Sequence, residues 1–131
     1  VSYDDDVCLV WLENGTNNVL YLKRTFTIGW STYVVIEANQ SSMSFPVLSV
    51  DSLIKNLYCF WIYDNVLRMK RCVNGTWESV SSSPFGAGFH LLEAVTCFYQ
   101  VWDGKIGVAL LERLEGGLYR VRYRFLTFLG D

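Results

Sequence analysis

Apolar and polar residues alternate with a period of two along nearly the whole chain, and Gly, Asn, Asp or Ser cuts the alternation at short intervals. A two-residue period sends successive side chains to opposite faces of an extended strand, and helical spacing never persists here. The apolar segments are also rich in Val, Ile, Tyr, Phe and Thr, which suit a pleated surface. The chain therefore reads as all-β.

The segments follow in order. Val7 to Leu12 is a first strand, and Glu13 to Asn17 turns the chain into Val19 to Ile28. There Leu20, Leu22, Phe26 and Ile28 share one face, expected to be core, while Tyr21, Lys23, Thr25 and Thr27 take the solvated face. Gly29-Trp30-Ser31 breaks the run, Tyr33 to Ala38 resumes it, and residues 39–42 form a loop. Phe45 to Val50 and Leu53 to Tyr63 come next, with Pro46 confining its strand to an edge or a strand start. From Asn74 to Gly88 the composition turns irregular. Leu91 to Trp102 and Lys105 to Arg113 flank Asp103-Gly104, the strongest hairpin signal in the chain. Glu115-Gly116-Gly117 then leads into Leu118 to Leu129. This makes an antiparallel meander of about 8–9 strands, which favours a closed barrel over a two-sheet sandwich.

At 131 residues, with 51% hydrophobic and only 18% charged residues, residues 1–131 suit a single domain with a real core rather than a disordered chain. The net charge of -2 supplies no basic field, so nucleic acid is not an expected partner. No apolar run approaches the roughly 20 residues of a membrane-spanning helix. Val1 does not open a secretory leader, so the chain reads as a mature protein with its signal peptide removed, or as the ectodomain of a membrane glycoprotein.

Three N-glycosylation sequons, at Asn14, Asn39 and Asn74, stand beside an even set of four cysteines. Together they point to a secreted or extracellular protein in an oxidising compartment. Four cysteines allow three pairings, and spacing biases the choice. Cys59 and Cys72 are symmetric about Asp64 to Leu67, so a hairpin with a four-residue loop would oppose them and leave Cys8 for Cys97. The nested pairing Cys8–Cys97 and Cys59–Cys72 is the expectation, and the long loop would contribute about 4 kcal/mol in the chain-entropy model. In that register Trp61 meets Lys70 and Tyr63 meets Arg68 on a solvent-side face, where cation-π contacts are the plainer reading and a recognition patch the sharper one.

Arg120, Arg122 and Arg124 alternate with Val121, Tyr123 and Phe125, so three guanidinium groups share one face of the last strand. They are candidate anion contacts, or a charged guard on an edge strand. The stretch from Trp77 to Phe89 is the candidate ligand or partner loop: Trp77, Phe85 and Phe89 are apolar anchors, and Gly86 and Gly88 give freedom. Enzyme chemistry is thin. His90 is the only histidine, no serine sits in a nucleophile motif, and Glu37, Asp51, Glu78, Glu93 and Glu112 carry no mark that separates them from surface acids. No catalytic residue, metal or cofactor is assigned.

Residues Val19 to Phe26, then Gly29-Trp30, then Tyr33 to Asn39, resemble the early barrel strands of secreted lipocalins of the arthropod salivary type, and the Ile106 to Tyr123 hairpin is compatible with that family. The resemblance implies a calyx for a small hydrophobic or amphipathic ligand, with the 74–88 stretch near its mouth. The expected function is a non-enzymatic binding protein, such as a lipocalin-like carrier. The competing reading is an immunoglobulin-like or other β-sandwich ectodomain of a surface or pathogen glycoprotein that binds a protein receptor.

Overall fold

The computed structural model of the chain describes residues 1–3, 6–25, 27–40, 44–79 and 91–127. The first sheet contains β1 (Ser2–Tyr3), β2 (Asp6–Leu12), β3 (Val19–Thr25), β4 (Gly29–Trp30) and β5 (Val34–Glu37). The middle sheet runs β6 (Val47–Asp51), β7 (Asn56–Tyr63), β8 (Val66–Val73) and β9 (Thr76–Trp77). A third sheet runs β10 (Leu91–Cys97), β11 (Lys105–Arg113) and β12 (Tyr119–Thr127), with a 3-10 turn at Glu115–Gly117 between the last two. All pairings within the sheets are antiparallel, as the two-residue period and short turns require. The described strands fall into three sheets, and no closed barrel is seen among them.

Local chemistry fixes the turns. Asp64-Asn65, Asn74-Gly75 and Asp103-Gly104 all have positive φ at both positions, the signature of two-residue type I′ hairpins, whose twist matches that of the flanking strands. Asn, Asp and Gly reach this region at least cost. Pro46 stands just before β6, an edge strand of its sheet, where its missing N–H breaks no ladder.

The middle sheet is buried on both faces, and two clusters of side chains account for this. Cys8, Val19, Tyr21 and Ile36 of the first sheet meet Leu48, Val50, Leu57, Cys59, Trp61 and Cys72 of the middle one. On the opposite face Tyr58, Phe60, Ile62, Leu67 and Met69 meet Leu92, Val95, Ile106, Val108, Leu110 and Leu126 of the third sheet. The result is three stacked layers with two cores. A central strand covered on both sides should lack clean alternation, and β7 is an almost unbroken buried run, NLYCFWIY.

The structure corrects four expectations. The hairpin register is set by the two-residue turn at Asp64-Asn65, which puts Cys59 opposite Lys70 and Cys72 opposite Leu57 rather than opposite each other. Its cysteine face is not solvated either: Trp61 is fully buried and Lys70 nearly so. Lys70 keeps its charge satisfied there, donating to the Ile36 carbonyl at 2.6 Å and lying 3.2 Å from Glu37 Oε2.

Leu20 of β3 is buried as expected, but Tyr21, expected on the solvated face, is buried as well. Val19 and Tyr21 point into the core between sheets, while Ile28 is largely exposed. Tyr21 takes the inner position because its polar tip finds a partner: the hydroxyl donates to Cys8 Sγ at 3.5 Å, and the ring packs edge-on against Trp77. The irregular stretch from Asn74 also begins as regular structure. Asn74-Gly75 closes a hairpin into β9, and Glu78 ties back to Arg71 through Oε1 at 2.8 Å.

Candidate binding cleft

Beyond Cys97 the chain leaves β10 but stays tied to the fold. Phe98 N–H donates to the Gly107 carbonyl, Val50 N–H to the Tyr99 carbonyl at 3.0 Å, and Val101 N–H to the Val50 carbonyl at 2.8 Å. The last two make a parallel bridge between the edge of the middle sheet and residue 100. Trp102 and Lys105 then exchange backbone hydrogen bonds around the Asp103-Gly104 turn. Opposite, the β6–β7 turn is held by Asp51 Oδ1, which accepts from Leu53 N–H at 3.1 Å and Ile54 N–H at 3.4 Å.

These two anchored turns enclose an open cleft of about 490 Å³, lined by Asp51, Ser52, Leu53, Gln100, Val101, Trp102 and Asp103. An adjoining hollow of about 260 Å³ is lined by Phe98, Tyr99, Gln100 and Trp102. Trp102 is 76% exposed, Tyr99 70% and Leu53 92%, although each could have been buried at a gain of a few kcal/mol. Large rings exposed beside a cleft, on hydrogen-bonded backbone, leave apolar surface that a ligand can cover. The rim carries the Asp51 and Asp103 carboxylates, the Gln100 amide and the Ser52 hydroxyl. Ionised carboxylates only accept hydrogen bonds, so the rim suits a ligand whose polar edge donates.

The residues singled out from sequence fall elsewhere. Trp77 is half-buried against Tyr21, with ring centroids 5.1 Å apart, and belongs to the core between the first two sheets. Phe85, Gly86, Gly88 and Phe89 lie outside the described residues, as does His90. Asn14, Asn39 and Asn74 are all exposed.

Arg120, Arg122 and Arg124 lie opposite Glu112, Leu110 and Val108, on the face of the third sheet that looks toward the middle one. The row needed an acidic neighbour, and Glu112 is it. The carboxylate is wholly buried, with Arg120 Nη2 at 2.8 Å and Arg122 Nη1 at 3.6 Å. Nothing in the sequence separated Glu112 from a surface acid until β11 was placed with Ile106, Val108 and Leu110 on its inner face.

The nested disulfides are not present; all four cysteines are free thiols. Burial pushes the Cys72 thiol up to about 11 and the Cys97 thiol up to about 12, and it raises Cys8 and Cys59 as well. The neighbours that oppose each thiolate are not those expected: Cys72 feels Cys8, and Cys59 feels Cys97.

The cleft itself was missed because Leu91 to Trp102 reads as one strand. Its signal was the run Phe98-Tyr99-Gln100-Val101-Trp102 just before Asp103-Gly104, which crowds three rings at a turn where alternation would have buried half of them. Among the described residues, no three His, Cys, Asp or Glu side chains gather as a metal ion would need. No helix of the described residues is long and apolar enough to cross a membrane. No family model, curated protein or solved structure matches the chain.

Proposed function

We propose that the protein is a non-enzymatic binding protein of the secretory route, and that its ligand is a small amphipathic molecule held in the cleft at Trp102. The observation that carries this reading is the pairing of Trp102 and Tyr99, both mostly exposed, with Asp51, Asp103 and Gln100 on hydrogen-bonded backbone. The ligand lays a flat apolar face on the rings and turns hydrogen-bond donors toward the rim carboxylates. An open cleft is preferred to an enclosed lipocalin calyx because side chains of successive sheets fill both cores. The exposed sequons support the extracellular setting.

The competing reading, a β-sandwich ectodomain that binds a protein receptor, draws on the exposed rings of the third sheet, which include Tyr119 and Phe125. Dansylcadaverine, a flat ring system with an ammonium tail, separates the two. Binding by the wild-type chain that is lost in Trp102→Ala and weakened in Asp103→Asn supports the cleft. Equal binding by wild type and Trp102→Ala would overturn it.

A further inference from the structure

The cleft and its adjoining hollow share Gln100 and Trp102. The larger space runs from those residues to Asp51 and Leu53, and the smaller one to Phe98 and Tyr99. A ligand longer than one ring can therefore cross Trp102 and rest in both. Val50, next to Asp51, donates its N–H to the Tyr99 carbonyl and accepts from Val101 N–H, so backbone hydrogen bonds join the two walls. Phe98 lies against Tyr123, with ring centroids 6.0 Å apart, and Asp51 Oδ1 is held by Leu53 and Ile54 N–H. A surface formed in advance avoids the ordering cost that a mobile one meets on binding.

The properties of this surface select a chemical class. Both hollows are open, so a bound molecule keeps one side in water, and a largely apolar ligand would leave part of its own surface wet. The polar groups beside the rings are also mixed in function. The Asp51 and Asp103 carboxylates only accept hydrogen bonds, whereas the Gln100 amide and the Ser52 hydroxyl both donate and accept. A ligand that only donates, such as an ammonium, leaves the donors of this set unused. The described lining residues include two carboxylates and no Lys or Arg, which disfavours an anion.

We propose that the cleft binds a neutral oligosaccharide, with successive sugar rings on either side of Trp102. This rests on the cleft being the binding site of the protein. A pyranose has a face of C–H groups that suits the negative face of an aromatic ring, and an edge of hydroxyls that both donate and accept. Its outer side stays hydrated, as an open cleft requires.

The test is saturation-transfer NMR and titration of the full chain with the methyl glycosides of glucose, galactose, mannose and N-acetylglucosamine, with cellobiose, lactose, mannobiose and chitobiose, and with methyl glucuronide. At least one neutral disaccharide is expected to bind, about tenfold or more tightly than the matching methyl glycoside, and methyl glucuronide is not. Trp102 is exposed, so Trp102→Ala should fold, and unchanged far-ultraviolet circular dichroism confirms it. That variant should bind the disaccharide at least about tenfold more weakly. Asp103→Asn should weaken dansylcadaverine more than the disaccharide, because Asn keeps an accepting oxygen but loses the charge that an ammonium needs. Dansylcadaverine binding that depends on Trp102, with no saccharide bound, would overturn the saccharide assignment and leave the cleft in place. Binding of neither would overturn both. Saccharide binding that survives Trp102→Ala, a disaccharide no tighter than its methyl glycoside, or equal binding of methyl glucoside and methyl glucuronide would also overturn the proposal.

Discussion

Glu112 is wholly buried on β11 directly across the ladder from Arg120, whose Nε and Nη2 lie 3.0 and 2.8 Å from the same carboxylate oxygen, Oε1. Arg122 approaches Oε2 from the next inward position on β12. The arginine side chains keep partial contact with water and the carboxylate has none. Removing an arginine therefore strands a buried charge, whereas removing the carboxylate leaves cations that can still reach solvent.

Arg120→Ala is accordingly expected to cost about 3 kcal/mol. Glu112→Leu, which fills the same space without charge, should cost less. In the Glu112→Leu background, Arg120→Ala should cost close to nothing. Urea denaturation of the three variants checks the cycle, and additive losses would show that the two side chains do not act together.

The free thiols make stability fall in alkali. Burial holds the Cys72 thiol protonated in the folded chain up to about 11, whereas the unfolded chain releases that proton near 9.0. The folded state binds more protons in that window, so the contribution is complete below 9.0 and declines as pH rises toward 11. The melting temperature of reduced protein should drop across this range. Cys72→Ala with Cys97→Ala should flatten the slope, and an unchanged slope would assign the loss to other groups.

Oxidation should follow spatial neighbours rather than sequence symmetry. With oxidised glutathione as acceptor, peptide mapping should recover Cys8 linked to Cys72, two thiols of the same core that oppose each other's charged forms. A Cys59–Cys72 peptide would mean that the two-residue turn at Asp64-Asn65 is not the native register.

The contrast between that turn and its neighbours shows what was legible in the sequence. Asp103-Gly104 and the Lys105–Arg113 strand were plain, because Gly in a type I′ turn and the apolar run that follows it are local signals. Asp64-Asn65 adopts the same turn without Gly, so a wider loop suited the cysteines equally well and shifted the register by two. The burial of Tyr21 was missed for a different reason. Alternation tells which residues share a face but not which face is covered, and that depended on Cys8 and Trp77, distant in the chain, which give Tyr21 a hydroxyl partner and a ring to pack on. Burial of the middle sheet on both sides, and with it the burial of Lys70 and Glu112, is likewise a property of stacking rather than of any one segment.

Close packing on the outer side of the third sheet gives a further prediction. A Cβ on Gly107 would collide with Tyr123 Oη and sit 2.9 Å from Phe98 Cε2. Both rings are partly exposed and can turn aside, so Gly107→Ala should cost only about 1–2 kcal/mol. Tyr123→Phe, which removes the closer of the two contacts, should recover part of that loss. Thermal melts of the single and double variants decide it, and no recovery would place the strain on the backbone instead.

The most direct test of the binding account is fluorine NMR of protein labelled at its five tryptophans with 5-fluorotryptophan. Trp102→Phe assigns one resonance to the cleft, and Trp61→Phe assigns one to the core between the first two sheets. On titration with dansylcadaverine, the Trp102 resonance should shift saturably while that of Trp61 stays still. A Trp102 resonance that does not move while the probe binds would contradict the assignment of this cleft as the binding site.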